Sequence, residues 1–209
     1  VSIVYRVVMK VLSPRIVHKW DVAGVVVGVE DAKEVRAAFA RLTTEVPERA
    51  GIRPEDVDGV LVQKMVSGGR ETIVGMTSDP QFGPLLMFGL GGIYVEAMGD
   101  VVFRVTPVSD VDAREMVRSI RGAKLLGGLR GGAHSDLAAI EETIQRIGQL
   151  VADHDAIREM DVNPWLAFPE GGVAVDGRIS VRSPPERVPC AAANRALLVS
   201  RRPICSMKP

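Results

Sequence analysis

The chain has 209 residues with 26 Lys and Arg against 26 Asp and Glu, so no net charge draws it to nucleic acid, and a dedicated nucleic-acid binder is not the expected class. Hydrophobic residues make up 46% and aromatics only 4%, which calls for a core of Val, Leu, Ile, Ala and Met, as in Val-rich sheets. No apolar run approaches the roughly 18–20 residues of a membrane span, and the only cysteines, Cys190 and Cys205, lack metal-ligand partners, so a cytoplasmic protein in a reducing compartment is expected.

Ile3 to Val11 is rich in Val and Ile and predicts a buried strand, ended by Ser13-Pro14 with Lys10 at its exit. It begins almost at Val1 with no turn or cap before it, so an upstream part is expected to be missing. A polar loop, His18-Lys19-Trp20-Asp21-Val22-Ala23-Gly24, leads to a second strand at Val25 to Gly28. Strand, glycine-containing loop and returning strand can turn backbone N–H groups and a lysine toward a phosphate; a solvated lysine at a strand end reads the same residues without a ligand. Asp31 to Glu34 has the form of a capping box, and Val35, Ala38, Phe39 and Leu42 follow at helical spacing, predicting a helix from Asp31 to about Thr44. Pro47 to Asp56 reads as a loop, and Gly59 to Val66 and Glu71 to Met76 as a strand pair joined by Ser67-Gly68-Gly69, with a third strand at Pro84 to Phe88. Consecutive strands on short connections imply antiparallel pairing, so the expected fold class is α+β, mixed α/β, and not a plain βαβ winding.

Gly89-Leu90-Gly91-Gly92-Ile93-Tyr94-Val95-Glu96 fails the dinucleotide fingerprint, because Tyr94 stands where the third glycine belongs. It is either a tight turn or a loop kept slim for a ligand or partner, with Glu96 pointing to the same place. A strand at Val101 to Val105, a helix capped at Ser109 and running to about Ser119, and a loop from Arg121 to Ala133 follow. Ser135 then caps the best helix, whose stripe is Leu137, Ile140, Ile144, Ile147 and Val151.

Met160-Asp161-Val162-Asn163-Pro164 and Val173-Ala174-Val175-Asp176 flank Pro169-Glu170-Gly171-Gly172, which is hairpin chemistry. If Pro169 pairs with Gly172, Trp165 faces Asp176 and Asn163 faces Arg178, and alternation puts Asp161, Asn163 and Asp176 on one face. Diagonal neighbours there lie about 7–8 Å apart. Two carboxylates at 4 Å repel by about 4 kcal/mol at an effective dielectric of 20, so a bound Mg²⁺ would account for gathering them. An ordinary hairpin with a wet polar face remains the other reading. From Arg182 onward, Arg182, Arg187, Arg195, Arg201, Arg202 and Lys208 oppose only Glu186, so residues 182–209 are expected to be a disordered basic tail.

In order, Val8 to Pro14, His18-Lys19 with Asp21 to Gly24, Val60 to Gln63, Asp79-Pro80-Gln81-Phe82-Gly83-Pro84, Phe88 to Glu96, Asp161 to Pro164 and Val175-Asp176 resemble the ATP-grasp domain of NDP-forming acyl-CoA synthetases. These enzymes are also called ADP-forming acetate–CoA ligases; the β subunit of succinyl-CoA synthetase is a more distant likeness. The resemblance covers residues 1–181 and implies an ATP-grasp fold without its first N-terminal segment. It implies that Lys10 contacts nucleotide phosphates, that the loop ending at Gly24 closes over them, and that the backbone of Val60, Val62 and Gln63 recognises adenine. Asn163 and Asp176 would hold Mg²⁺ with Asp161 beside them. His18 would steady the transferred phosphoryl group, and Glu96 would lie in the loop that receives a swinging phosphohistidine. ATP or ADP is then a substrate, and the partner is a CoA-binding α-type subunit or domain carrying that histidine, in a hetero-oligomer, with neither nucleic acid nor membrane. The chain departs from the pattern at Ala23, where glycine is usual, at Trp20, where a small hydroxyl residue is usual, and at Lys64, where an acidic residue is common. A non-catalytic ATP-grasp-like module of a regulatory acyltransferase, or a decayed fragment, is the alternative those departures keep open.

Overall fold

A computed structural model of the chain describes residues 4–92, 99–128 and 133–182. Glu96 and the tail from 183 to 209 lie outside the described residues. The stretch treated above as one domain divides into two compact units, Val1–Gly69 and Arg70–Pro209. The mixed α+β expectation holds, with antiparallel pairing in both sheets.

In the first unit, β1 (Val7–Leu12), β2 (Val25–Val29) and β3 (Gly59–Lys64) form a sheet in the order β2-β1-β3. Helix α1 (Ala32–Ala50) covers one face, where Val7, Met9 and Val11 pack with Ala38, Leu42 and Val46. Asp31 caps it by accepting from the amides of Lys33 at 2.7 Å and Glu34 at 2.8 Å, while the Glu34 carboxylate accepts from Glu30 N at 2.7 Å. The helix runs past the expected end at Thr44 and contains Pro47. A proline in the last turn removes one amide bond, and Val46 and Pro47 are themselves buried, so packing carries the helix on to Gly51, whose φ of 65° ends it.

The second unit holds β4 (Arg70–Asp79), β5 (Gly83–Leu90), β6 (Val101–Val105), α2 (Asp110–Ser119), α3 (Ala123–Leu126), α4 (Leu137–Asp153), β7 (Ile157–Ala167), β8 (Gly172–Ala174) and β9 (Gly177–Val181). The sheet order is β6-β5-β4-β7, and both β8 and β9 pair with β7. Val74, Met76, Leu86, Phe88 and Leu90 meet Met116 and Val117 of α2 and the stripe Ile140, Ile144, Ile147 and Val151 of α4 in one core. Each such fully buried aliphatic side chain contributes about 1.5–3 kcal/mol.

Three sequence expectations need correction here. β3 and β4 are not a pair: β3 joins β1 and β4 joins β5 and β7, because the chain passes from the first unit to the second after Gly69. The cap of α4 is Asp136, not Ser135; its carboxylate accepts from Ala139 N at 3.0 Å and from Gly171 N at 2.9 Å, while Ser135 is buried. The expected loop from 121 to 133 contains the short helix α3, seated by buried Leu126. Among the described residues no helix is long and apolar enough to cross a membrane.

Candidate functional site

Lys10 is the one lysine on β1, and it is only 4% exposed. Its neighbours Met9 and Val11 point to the α1 core, so alternation sends Lys10 to the other face. Leu61 and Val25 lie opposite Lys10 and Gln63 lies opposite Val8, so Lys10, Leu61 and Gln63 share the helix-free face of this sheet. The Gln63 Oε1 atom is buried there and has no hydrogen-bond partner among the described residues. Met65 N donates to Arg6 O at 3.0 Å, which sets the phase of the ladder: Leu61 and Gln63 bond to β1, and the main-chain groups of Val60 and Val62 point to the outer edge of β3. Among the described residues no strand covers that edge.

The loop between β1 and β2 is tied by its own backbone. Gly24 N donates to Lys19 O at 2.7 Å, Ala23 N to Trp20 O at 3.1 Å, and Val11 N to Gly24 O at 2.9 Å. A Cβ at Gly24 would stand 2.7 Å from Val11 Cγ1, so glycine is required by close approach. His18 and Trp20 are exposed, Trp20 to 71%. The indole therefore projects outward and does not fill the loop, contrary to the crowding its size suggests. Arg41 of α1 donates from Nη2 to Ala23 O at 3.4 Å.

The second unit holds the oxygen-rich corner. The register of β7 is Trp165 opposite Ala174, not Asp176, because the turn takes four residues, closed by Phe168 N donating to Gly171 O at 3.0 Å. The two-residue shift keeps parity and tightens the arrangement. Asn163 N donates to Asp176 O at 3.2 Å, so Asn163 stands opposite Asp176 and not opposite Arg178, while Arg178 stands opposite Asp161. Val162 between them is in the core, so Asp161 and Asn163 project from the face without helices, where Asn163 is exposed and Asp161 and Asp176 are half-buried. Asp176 Oδ1 also accepts from Gly177 N at 3.2 Å. Arg178 sits 3.7 Å from Glu159, a surface pair of little energetic weight.

Opposite Asp161 on β4 is Gly75, where a Cβ would come within 3.9 Å of Asp161 Oδ1 and within 3.1 Å of both Met160 O and Met87 Cε. Its bare backbone leaves room beside the carboxylate. Among the described residues no group of three or more His, Cys, Asp or Glu side chains is placed to hold a metal. Two carboxylates and an amide oxygen, all hard donors, nonetheless fit a cation that takes its remaining ligands from phosphate and water, as Mg²⁺ does.

Sequence reasoning missed Gly75, Arg41 and Thr72. Thr72 is fully buried and its hydroxyl donates to Trp165 O at 2.8 Å. Only a polar residue within an apolar strand run, Thr72-Ile73-Val74, hinted at it.

Comparison with known proteins gives these residues a common context. The ATP-grasp domain family matches residues 1–181. The chain is 43% identical over 176 residues to the β subunit of acetate–CoA ligase [ADP-forming] I of Pyrococcus furiosus, covering 84% of this chain and 75% of that one. It is 46% identical over 178 residues to acetate–CoA ligase [ADP-forming] I of Archaeoglobus fulgidus, covering 85% of this chain but spanning only 26% of that protein. Acetyl-coenzyme A synthetase 1 of Ca. Korarchaeum cryptofilum, solved with coenzyme A, Ca-AMPCP and HgCl⁺, superposes with a TM-score of 0.81 at 42% identity, over 85% of this chain and 77% of that one. Another structure of that protein holds coenzyme A and Mg-AMPPCP with its phosphohistidine segment pointing towards the nucleotide binding site, at 42% identity and a TM-score of 0.71 over 85% and 77% of the two chains. The chain thus belongs to the ATP-grasp domain family, in the branch that forms the β subunit or nucleotide-binding portion of ADP-forming acetate–CoA ligases.

Proposed function

We propose that this chain is the nucleotide-binding part of an ADP-forming acyl-CoA ligase, in which a phosphoryl group passes between a histidine of a CoA-binding partner and ADP. The observation that carries the reading is the direct opposition of Asn163 and Asp176, with Asp161 on the same face, in a chain whose other unit buries Lys10 beside an open strand edge. In the forward direction a β-phosphate oxygen of ADP attacks the phosphorus of the phosphohistidine. The P–O bond forms as the P–N bond breaks, and the released imidazole nitrogen takes up a proton. Such transfers need charge neutralisation and alignment more than covalent help.

Lys10 supplies a positive charge to the phosphates, and its burial strengthens that charge's effect relative to a solvated lysine. The outward main-chain groups of Val60 and Val62 hydrogen-bond the base, and Gln63 offers its amide from the adjoining face. Gly24 allows the loop to lie close, and His18, exposed at the start of that loop, steadies the phosphoryl group in transit. Glu96 serves the incoming segment. Asn163, Asp176 and Asp161 would hold Mg²⁺, which when bound neutralises phosphate charge. The CoA-binding chain with its phosphohistidine completes a hetero-oligomer.

Calorimetric titration with ADP and ATP, with and without Mg²⁺, tests the reading. Wild type binds nucleotide in a Mg²⁺-dependent manner, Lys10→Ala loses affinity with or without the metal, and Asp176→Asn loses only the metal-dependent gain. A cooperatively folding wild type that binds neither nucleotide would sink the proposal.

A further inference from the structure

Asn163, which stands opposite Asp176, sits at a local irregularity in β7. On the β8 and β9 side the register is continuous: Trp165 opposes Ala174, Asn163 N reaches Asp176 O, and Val162 opposes Gly177. On the β4 side it is not. Val74 opposes Val162 and Thr72 opposes Trp165, so Ile73 faces both Asn163 and Pro164, and β7 carries one extra residue there. This is a β-bulge, the device that re-aims a side chain within a ladder, and it coincides with a residue that has no N–H to give the ladder. Pro164 O instead accepts from Val175 N at 3.0 Å.

A bulge needs an anchor on each side, or the strand slips by one residue and reverses its faces. On one side the anchor is the ladder at Val74 and Val162, both in the core. On the other it is Thr72, the first paired residue past the bulge, whose hydroxyl adds a side-chain bond to Trp165 O at 2.8 Å in a fully buried position. A hydroxyl buried there is far more costly than an isosteric methyl unless it is bonded, and Val would otherwise fill the same strand position. Trp165 is in turn held by packing, with its ring stacked where a Cβ at Gly172 would lie within 2.1 Å.

We propose that Thr72 is a positioning residue for the divalent cation: its hydroxyl fixes the bulge that aims Asn163 where it stands beside Asp176. The inference rests on the metal reading above but concerns a residue that touches neither metal nor nucleotide. Supporting groups of this kind typically change metal affinity by about 10–100-fold when removed.

The test compares Thr72→Val, which keeps the shape and deletes the donor, with Thr72→Ser, which keeps the donor. Three quantities are measured on the whole chain: thermal unfolding, ADP affinity without metal, and Mn²⁺ affinity of the ADP complex by electron paramagnetic resonance. Thr72→Val is expected to unfold cooperatively, to bind metal-free ADP as wild type does, and to bind Mn²⁺ about tenfold more weakly, while Thr72→Ser retains wild-type Mn²⁺ affinity. Unchanged Mn²⁺ affinity in Thr72→Val, or loss in Thr72→Ser, overturns the proposal. So does a Thr72→Val chain that no longer folds, or one that loses metal-free ADP binding in the same proportion, since the bond then serves the fold at large. A wild type that binds ADP but no Mn²⁺ fails the metal reading itself, and the inference with it.

Discussion

The loop from His18 to Gly24 and the corner formed by β7, β8 and β9 hold their polar groups in opposite ways. In the loop, three short main-chain bonds close the turn and the side chains of His18 and Trp20 project outward. In the corner, Asp161 and Asn163 stand on β7, which is paired on both sides, and Asp176 lies in the link between β8 and β9 beside it, with Val162 and Trp165 buried beneath. The loop is held mainly by main-chain bonds; the corner is braced by packed side chains as well. Substitutions that change side-chain volume should therefore separate: in the corner they cost much stability, whereas in the loop they change it little.

The sharpest way to break that contrast is at Gly172. A Cβ there would meet the Trp165 ring at 2.1 to 2.6 Å, so the ring or the strand must move. Gly172→Ala should lower unfolding free energy by about 3 kcal/mol, at the upper end for overpacking a core, as read by urea denaturation. A loss below about 1 kcal/mol would place the corner among adaptable surfaces. Asp176→Asn follows in size. It removes a charge but no volume from a half-buried position, so stability should hold while Mg²⁺-dependent nucleotide affinity falls by about tenfold or more, roughly 1.4 kcal/mol. Equal losses with and without metal would detach Asp176 from the cation.

Asp136 joins the corner to α4 and makes its coupling visible in pH. Its carboxyl is held below the ordinary carboxylate value of 3.8, chiefly by the amide of Gly171 in the hairpin turn and then by that of Ala139 in the first turn of the helix. A depressed folded pKa means stability that is fully present above the unfolded value and is lost as pH falls through the folded one. Asp136→Asn keeps a capping oxygen but not the charge. The wild type should melt higher than Asp136→Asn by a constant margin from neutral pH down to about 4, and the margin should close below it. Asp56 and Asp112 are also held low, but they are common to both proteins and cancel in the difference. A margin that persists undiminished at acid pH would assign the effect to geometry instead of charge.

How much of this was legible in the sequence follows from which interactions are periodic. The α4 stripe from Ile140 to Val151 is a periodic burial pattern and is found as read, and the Val-rich first strand is found at Val7–Leu12, with Val4 to Arg6 outside it. The shared face of Asp161, Asn163 and Asp176 survived a wrong register because a shift of two residues leaves strand parity intact. The register itself depended on a four-residue turn that Pro169 and Gly172 do not specify, and the bulge at Asn163-Pro164 is anchored by the Thr72 hydroxyl on Trp165 O, a bond between residues ninety-three apart in the chain. The separation of β3 from β4 was hidden for the same reason: alternating strands flanking glycines look like a hairpin whatever each strand pairs with elsewhere.

The smallest predicted effect lies in the loop, at Ala23. Ala23 has a φ of 55°, the only positive value at a non-glycine position among the described residues. An alanine in that region costs about 1–2 kcal/mol against the right-handed alternative, whereas glycine carries no such cost but loses about 0.4–1 kcal/mol through the greater freedom of its unfolded chain. The difference favours Ala23→Gly by roughly 0.5–1 kcal/mol, since the conformation is set by the bonds from Ala23 N to Trp20 O and from Gly24 N to Lys19 O and not by the side chain. The melting temperature should rise by a few degrees at most. Metal-free ADP affinity should stay within about twofold, because the same main-chain bonds set the loop's conformation in both proteins. A variant that is destabilised would mean that the Ala23 methyl packs usefully, and that the loop is held by side chains as firmly as the corner is.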